Sequence, residues 1–562
     1  MLLLNMYYWL SALFTLIILF IIADYLKGRH LKKKRLSEIK EQWGKPKITQ
    51  RNFKLIATYL TAADSQSYIS ADTSADLDVD DLFNFIDRTN SKPGQQYLYK
   101  KLHAPELSES YFNILEQKHQ LISKDSSLRE LAEFKLSALN SNDAYYLPEV
   151  FGKVHSSLFD PLTTLYIRIA PFLTLLFIAS LFIVPNQFAL LFLFALLIAN
   201  VVIHFGNKTK VMSYTHSLPQ LLILNNVAKW LADHQLFEND HHINQSLTNV
   251  DKLKKSLGFI NLQNKTAADP TDITFLFSEW LKMFLLIEPL IFIFSISRVN
   301  KYLEDIKILY EAVARVDMAI SILSVRAGST QYCIPRFLTD GDRITIKNLY
   351  HPLIENCVAN SMNIDNKQGV LVTGSNMSGK TTFIRSVAIN ALLSQTINTS
   401  FASEYCAPPL KIFTSINMSD DLGGHKSYFQ AEATSVKNII MEATASKPVN
   451  SLVIIDEIFR GTNTIERIAA AKAVLSYFIE NKSFVFVSTH DLELAELLGI
   501  DYKVFSFEEL MGDDQLIFDY KIKEGLLKNK NGIAVLKGLG FPESIIDEAN
   551  KVSIQLRDKY NL

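Results

Sequence analysis

At 562 residues the chain is long enough for three or four domains, each with a core of its own. Hydrophobic residues make up 48% and aromatics 11%, more than an ordinary soluble protein carries and less than a multi-spanning transporter needs, so the excess must sit in a few segments. A formal net charge of −1 supplies no global positive field toward nucleic acid, and any DNA binding has to come from a local patch. Cys333, Cys357 and Cys406 lack C-x-x-C spacing, which argues against both a disulfide framework and a zinc site and leaves reduced thiols.

In chain order, the first element is the uncharged stretch Met6–Ala23, closed by Asp24. As a helix it rises about 27 Å, close to a hydrocarbon core of roughly 30 Å. A signal peptide would carry positive charge before the apolar run and small residues at a cleavage site. Here the basic cluster follows it (Lys27, Arg29, Lys32, Lys33, Lys34, Arg35), so residues 1–35 read as an anchor with its N-terminus outside. Residues 36–160 read as the first part of a cytoplasmic helical core, with a helical pattern at Leu128, Leu131, Phe134, Leu136 and Leu139.

The apolar block Leu165–Phe205, interrupted at Pro185-Asn186-Gln187, predicts two helices joined by a tight turn, a membrane hairpin over 161–206. A buried hairpin in a soluble core is the alternative; Arg168 near one end can snorkel, and Lys208 and Lys210 put the far side in the cytoplasm. Residues 207–330 read as a second helical part. Within it Phe284–Ile296, with Glu288-Pro289 inside, is expected to be a packed helix. Asp240-His241-His242 is expected to be a solvated loop rather than a metal cluster.

Residues 331–524 carry the chemistry. The apolar strand from Gly369 leads into Gly374-Ser375-Asn376-Met377-Ser378-Gly379-Lys380-Thr381-Thr382, and a helical pattern follows (Phe383, Val387, Ala388, Ala391, Leu392). Strand, glycine-bounded loop and helix are the context of a P-loop, in which backbone N–H groups and a helix N-terminus face phosphates. Lys380 would reach the β- and γ-phosphates of ATP, and the Thr381 hydroxyl would ligate Mg²⁺. Downstream, Leu452-Val-Ile-Ile-Asp456-Glu457 reads as a buried strand that presents two carboxylates at its C-terminal end. Asp456 would hold Mg²⁺ through water, and Glu457 would deprotonate the attacking water. Another buried strand, Phe484-Val-Phe-Val-Ser488-Thr489-His490, ends in His490, a candidate sensor of the γ-phosphate.

These motifs resemble those of the MutS ATPases of DNA mismatch repair. The loop is similar to that family's G-P-N-M-G-G-K-S-T, Asp456–Thr464 (DEIFRGTNT) to its D-E-I-G-R-G-T-S-T, and Ser488-Thr489-His490 to its S-T-H. Asp420-Asp421-Leu-Gly-Gly-His-Lys-Ser427-Tyr-Phe429-Gln-Ala-Glu432 resembles its D-D-L…S-T-F…E signature, which implies that Ser427 acts in trans and that the ATPase works as a homodimer. His351-Pro352-Leu-Ile-Glu355 resembles the element near which the adenine is held, and residues 525–562 resemble the family's C-terminal dimerisation helices. More weakly, Asp81–Pro105 is similar to the start of the MutS core, and Asp317–Pro335 to the end of its lever helices. The departures lie upstream: only about 70 residues precede the core, with no Phe-x-Glu mismatch reader and no basic clamp tip among them or the arms.

The resemblance implies an α/β P-loop ATPase domain, a mostly parallel sheet flanked by helices, preceded by an all-α core and lever region with transmembrane helices. Two functions stay open on the sequence. One is a membrane-anchored dimeric ATPase that engages DNA. The other is an ATP-driven switch that acts on a membrane partner without DNA. Either way the protein is expected in the cell membrane, its ATPase part in the cytoplasm.

Overall fold

The computed structural model describes residues 2–61, 69–106, 108–152, 154, 159–183, 186–237, 240–256, 273–339, 343–365, 368–375, 378–417, 428–446, 449–511, 516–526, 533, 536 and 540–560. The chain divides into two compact units: Met1–Asp64, Ile86–Lys100 and Ile114–Gly328 form the first, and Ser65–Phe85, Lys101–Asn113 and Ser329–Leu562 the second. Two segments upstream of residue 331, which the sequence groups with the helical core, thus belong to the unit that carries the glycine-bounded loop and the paired acids.

The first unit is helical among its described residues. It begins with one continuous helix, Leu2–Gln42, which runs without a break from the apolar stretch through the basic cluster. The helix Leu303–Gly328 is buried along most of its length, packs beside His241–Ser256 and Gln187–Asp233, and carries the fully buried Asp317. That carboxylate accepts the N–H groups of Asn90 (2.9 Å) and Ser91 (2.7 Å) and the Ser91 hydroxyl (2.6 Å). Gly94 is required at the next turn, because a Cβ there would stand 2.2 Å from an Asp317 oxygen. Asp87 forms a buried ion pair with Arg51 at 2.8 Å.

The apolar block does form two helices, Pro161–Ile183 and Gln187–Asp233. Asn186 caps the second by accepting the Phe188 N–H at 2.8 Å, while Pro185 lies outside the described residues. No boundary falls at 206: the helix continues for 47 residues to Asp233, because neither Gly206 nor the lysines beyond it break a helix, and only the composition changes there. Pro161–Ile183 and Gln187–Gly206 have mean hydropathies of 2.0 and 2.6 and are long and apolar enough to cross a membrane. Only 22% and 11% of those windows are buried, whereas a core helix of a soluble protein would be mostly covered. Phe284–Ile296 falls largely in the helix Ile287–Val299, which buries Pro289, Ile291, Phe292, Ser295 and Ile296 and is a packed element as expected. Asp240 caps the helix His241–Ser256 through the His242 N–H at 2.9 Å, so the Asp-His-His run is a helix start rather than a loop.

The second unit contains two sheets. A four-stranded sheet has the order β1-β5-β2-β3, with β1 Arg336–Phe337, β2 Arg343–Leu349, β3 Asn360–Asp365 and β5 Glu404–Ala407. The larger, six-stranded sheet has the order β10-β9-β4-β8-β7-β6: β4 Gly369–Thr373, β6 Leu410–Ser415, β7 Asn450–Asp456, β8 Phe484–Ser488, β9 Tyr502–Met511 and β10 Leu516–Glu524. All neighbours in it are parallel except the edge pair β9–β10. β4 and β8 are buried at every position, as strands covered on both faces must be. The helix Lys380–Ile397 packs against β6, β7 and β8, and Asn398, in the left-handed region at φ +50°, stops it. Helices Tyr428–Ala445 and Thr464–Glu480 add to the same core, the latter capped by Asn463 on the Glu466 N–H.

Candidate functional site

The site forms at the C-terminal ends of β4, β7 and β8, where an open parallel sheet presents its polar strand ends. Leaving β4, the chain turns at Gly374 (φ +141°) and Gly379 (φ +99°), both in the region that favours glycine. Space points the same way: a Cβ on Gly374 would lie 2.8 Å from the Ser378 hydroxyl and 3.0 Å from the Phe507 carbonyl. Ser378 closes the loop by donating its hydroxyl to the Ser375 carbonyl at 2.8 Å. Asn376 and Met377 lie outside the described residues.

Lys380 and Thr381 open the following helix. The Lys380 ammonium is buried and donates to the carbonyls of Gly374 (2.8 Å) and Ser375 (2.7 Å), 3.4 Å from His490 Nε2. The Thr381 hydroxyl donates to Asp456 Oδ2 at 2.9 Å, and the Ser488 hydroxyl bonds the other Asp456 oxygen. Loop, first helical turn and two strand ends therefore converge on Asp456. Thr382 lines the adjoining cavity.

Glu457 follows directly, in the left-handed region at φ +55°, and its N–H is fixed on the Ser488 carbonyl at 3.0 Å. Its carboxylate is gripped from two sides, by His490 Nε2 at 2.8 Å and by Arg460 Nε at 3.0 Å. The His490 hydrogen bond is the main cause that holds this carboxyl below its usual range, and burial opposes it. Arg460 also reaches Asp456 Oδ2 at 3.2 Å. Sequence reasoning did not single out Arg460, although it stands inside the matched DEIFRGTNT run. Below it, the Phe459 N–H is held by the buried Glu432 carboxylate, and the Phe459 ring meets Phe429 at 5.9 Å. Ser427 lies outside the described residues.

A cavity of about 440 Å³ opens beside the loop, lined on one side by Lys380, Thr381 and Thr382 and on the other by Ile354, Val358 and Tyr520. His351 is not on its wall. It is buried, its Nδ1 accepts the Leu353 N–H at 3.3 Å, and its backbone N–H donates to Cys357 Sγ at 3.3 Å. His351 thereby braces the turn whose next residues line the cavity. Burial lowers its pKa to about 4, which keeps the ring neutral. Tyr520 and Phe507, from β10 and β9, were not legible as cavity residues, because strand pairing far along the chain brings them there.

The fold and the strand-end polar cluster define an α/β domain with a glycine-bounded loop suited to phosphate. Residues 370–557 match the family model of MutS domain V. Similar curated proteins are the DNA mismatch repair proteins MutS of Clostridium botulinum strain Alaska E43, 34% identical over 48% of this chain and 29% of that protein; of Clostridium tetani, 34% over 47% and 31%; and of Carboxydothermus hydrogenoformans, 34% over 47% and 32%. This part of the chain is similar to MutS domain V. The chain spans about three tenths of the length of these curated relatives.

Proposed function

We propose that the protein is a membrane-anchored MutS-like ATPase that binds and hydrolyses ATP as a homodimer and engages DNA. The observation that carries the hydrolytic reading is the Glu457 carboxylate, held by His490 at 2.8 Å and Arg460 at 3.0 Å beside the Thr381–Asp456 pair. A carboxylate kept ionised and oriented is what a general base for water needs. Glu457 accepts the proton, His490 orients it, and Lys380 and the backbone from Gly374 to Thr382 bind the phosphates.

Thr381 and Asp456 offer hard oxygen donors 2.9 Å apart, and no cluster of three or more His, Cys, Asp or Glu occurs among the described residues. One carboxylate and one hydroxyl suit Mg²⁺, which takes its other oxygens from phosphates and water. When bound, the ion would neutralise charge on the phosphates. His351 acts indirectly, through the turn that lines the base side. Ser427 of a second subunit completes the site, with residues 525–562 joining the subunits.

Membrane anchoring is supported by the two exposed apolar helices and by the composition of Met6–Ala23. The continuous helix Gln187–Asp233 favours a second reading, an ATP-driven switch on a membrane partner, because it joins an apolar half rigidly to the helical unit.

Glu457→Gln should bind ATP and lose turnover by about 100-fold or more, whereas Lys380→Ala should weaken binding itself. Nucleotide binding and steady-state ATPase of the purified protein check this, and retained turnover in both variants would unseat the site assignment. Adding duplex DNA at low and high salt separates the two readings: stimulation that fades with salt supports DNA, and no effect at low salt supports the membrane switch.

A further inference from the structure

The helical unit holds a cavity of its own, about 280 Å³, which no part of the proposed ATPase uses. It is framed by the end of the helix Leu2–Gln42, the segment after it, the turn Asp87–Gln95 and the helix Ser126–Leu136. Charged groups of both signs line it, but they are not equally satisfied.

The carboxylates on the wall are engaged to different degrees, and Glu133 Oε1 is buried without a hydrogen-bond partner among the described residues. Asp87 accepts from Arg51 (2.8 Å) and Gln95 (2.7 Å) on one oxygen and from the Thr89 hydroxyl (2.6 Å) on the other. Glu38 pairs with Arg35 at 3.0 Å. Glu133 stands 3.3 Å from Arg129, and burial pushes its carboxyl up to about 7. Behind the wall, Asp317 is committed to the N–H groups of Asn90 and Ser91.

The cations are different. Arg88 is 4% exposed, and among the described residues its guanidinium bonds only the carbonyl and hydroxyl of Ser324 and its Nε has no hydrogen-bond partner. Lys47 donates to the Thr89 carbonyl (2.8 Å) and the Asn90 side-chain oxygen (3.0 Å), both neutral. Lys92 lies over the Tyr145 ring, 4.9 Å from its centroid. Among the described residues none of these three cations forms a direct ion pair: Asp87, Asp317 and Glu133 act on Lys47, and Asp87 on Lys92, only at longer range, while Arg88 is buried with no carboxylate acting on it. A bound anion would stabilise this arrangement. A guanidinium fork flanked by two ammonium groups matches an oxyanion. The volume suits a molecule the size of pyrophosphate or malonate rather than a whole nucleoside triphosphate.

We propose that this cavity is a binding site for a small, multiply charged oxyanion, a phosphate or a polycarboxylate, held by Arg88, Lys47 and Lys92. The inference is independent of the ATPase reading, and its readout is binding rather than turnover.

The test is calorimetric titration of pyrophosphate and, separately, malonate into the full chain in detergent, carrying Lys380→Ala to suppress phosphate binding at the nucleotide loop. Saturable binding of either probe is expected, weakened at least tenfold by Lys92→Ala and by Lys47→Ala. Which probe binds identifies phosphate or carboxylate chemistry. Without the anion, Lys92→Ala should melt at the same temperature or higher, because burial of an ammonium that has no direct ion-pair partner is removed. The proposal is overturned if neither probe saturates, or if affinity is unchanged in both lysine variants. A lowered anion-free melting temperature with unchanged affinity would likewise assign these cations to folding and reject it.

Discussion

Glu457 and Phe459 both sit at positive φ, +55° and +63°, a conformation that costs a side-chain-bearing residue about 1–3 kcal/mol. Phe459 stands where the resembled motif carries glycine, yet it is buried, its N–H is held by Glu432 and its ring packs on Phe429. Strain next to the candidate base is thus held in place by packing. Phe459→Gly should relieve the strain and release the ring. We expect ATP turnover to fall about tenfold with little change in KM, and a stability about 1 kcal/mol above that of Phe459→Ala, which keeps the strain and opens a cavity. Steady-state kinetics and thermal melts of the two variants check this, and equal stabilities would contradict it. Glu133 gives a pH signature. Its folded pKa of about 7 lies above its ordinary 4.5, so between those values the folded state holds a proton that the unfolded state has lost. Its contribution therefore makes stability fall as pH rises from about 4.5 to about 7, then level off. Glu133→Gln should stabilise the chain at pH 8, on the order of 1–3 kcal/mol, and do little at pH 4.5. Melting temperatures of both proteins across that range test the sign.

Among elements, the apolar helices show how far a hydropathy pattern reaches. Their existence and the break near Asn186 were legible, because eighteen or more apolar residues and a Pro-Asn pair are strong local signals. Their end was not: composition changes at residue 206, but the backbone has no reason to stop there, and the helix runs on to Asp233. Nor could the pattern reveal the polar clasp between them. Asn200, buried, accepts the Tyr166 hydroxyl at 2.8 Å and donates to the Phe284 carbonyl at 2.7 Å, tying the hairpin to a third segment. Polar contacts between apolar helices are worth about 0.5–2 kcal/mol each. Asn200→Leu should therefore lower unfolding stability in detergent by about 1 kcal/mol while leaving nucleotide affinity unchanged. Denaturant titration with a nucleotide-binding control would measure both.

For the whole molecule, the proposal that Ser427 acts in trans leads to the expectation that a lone subunit is an incomplete enzyme. Turnover per subunit should rise with protein concentration. Mixing Lys380→Ala with Ser427→Ala, each nearly inactive alone, should restore activity through one intact composite site per mixed dimer. Rates independent of concentration, or no recovery on mixing, would argue for a self-sufficient subunit.

By itself the sequence located a glycine-bounded loop after a buried strand, the paired acids at Asp456 and Glu457, and a mostly parallel sheet to hold them. Their signals are local: glycines where φ is positive, and apolar runs that must be buried on both faces. Tertiary structure alone decided what those residues face. Arg460 and His490 grip Glu457 from different strand ends, Tyr520 reaches the cavity from the antiparallel edge, and segments 65–85 and 101–113 join the second unit. The cluster of cations around Arg88 was equally hidden. Whether a charge is paired depends on groups that lie tens or hundreds of residues away, and no local pattern encodes that.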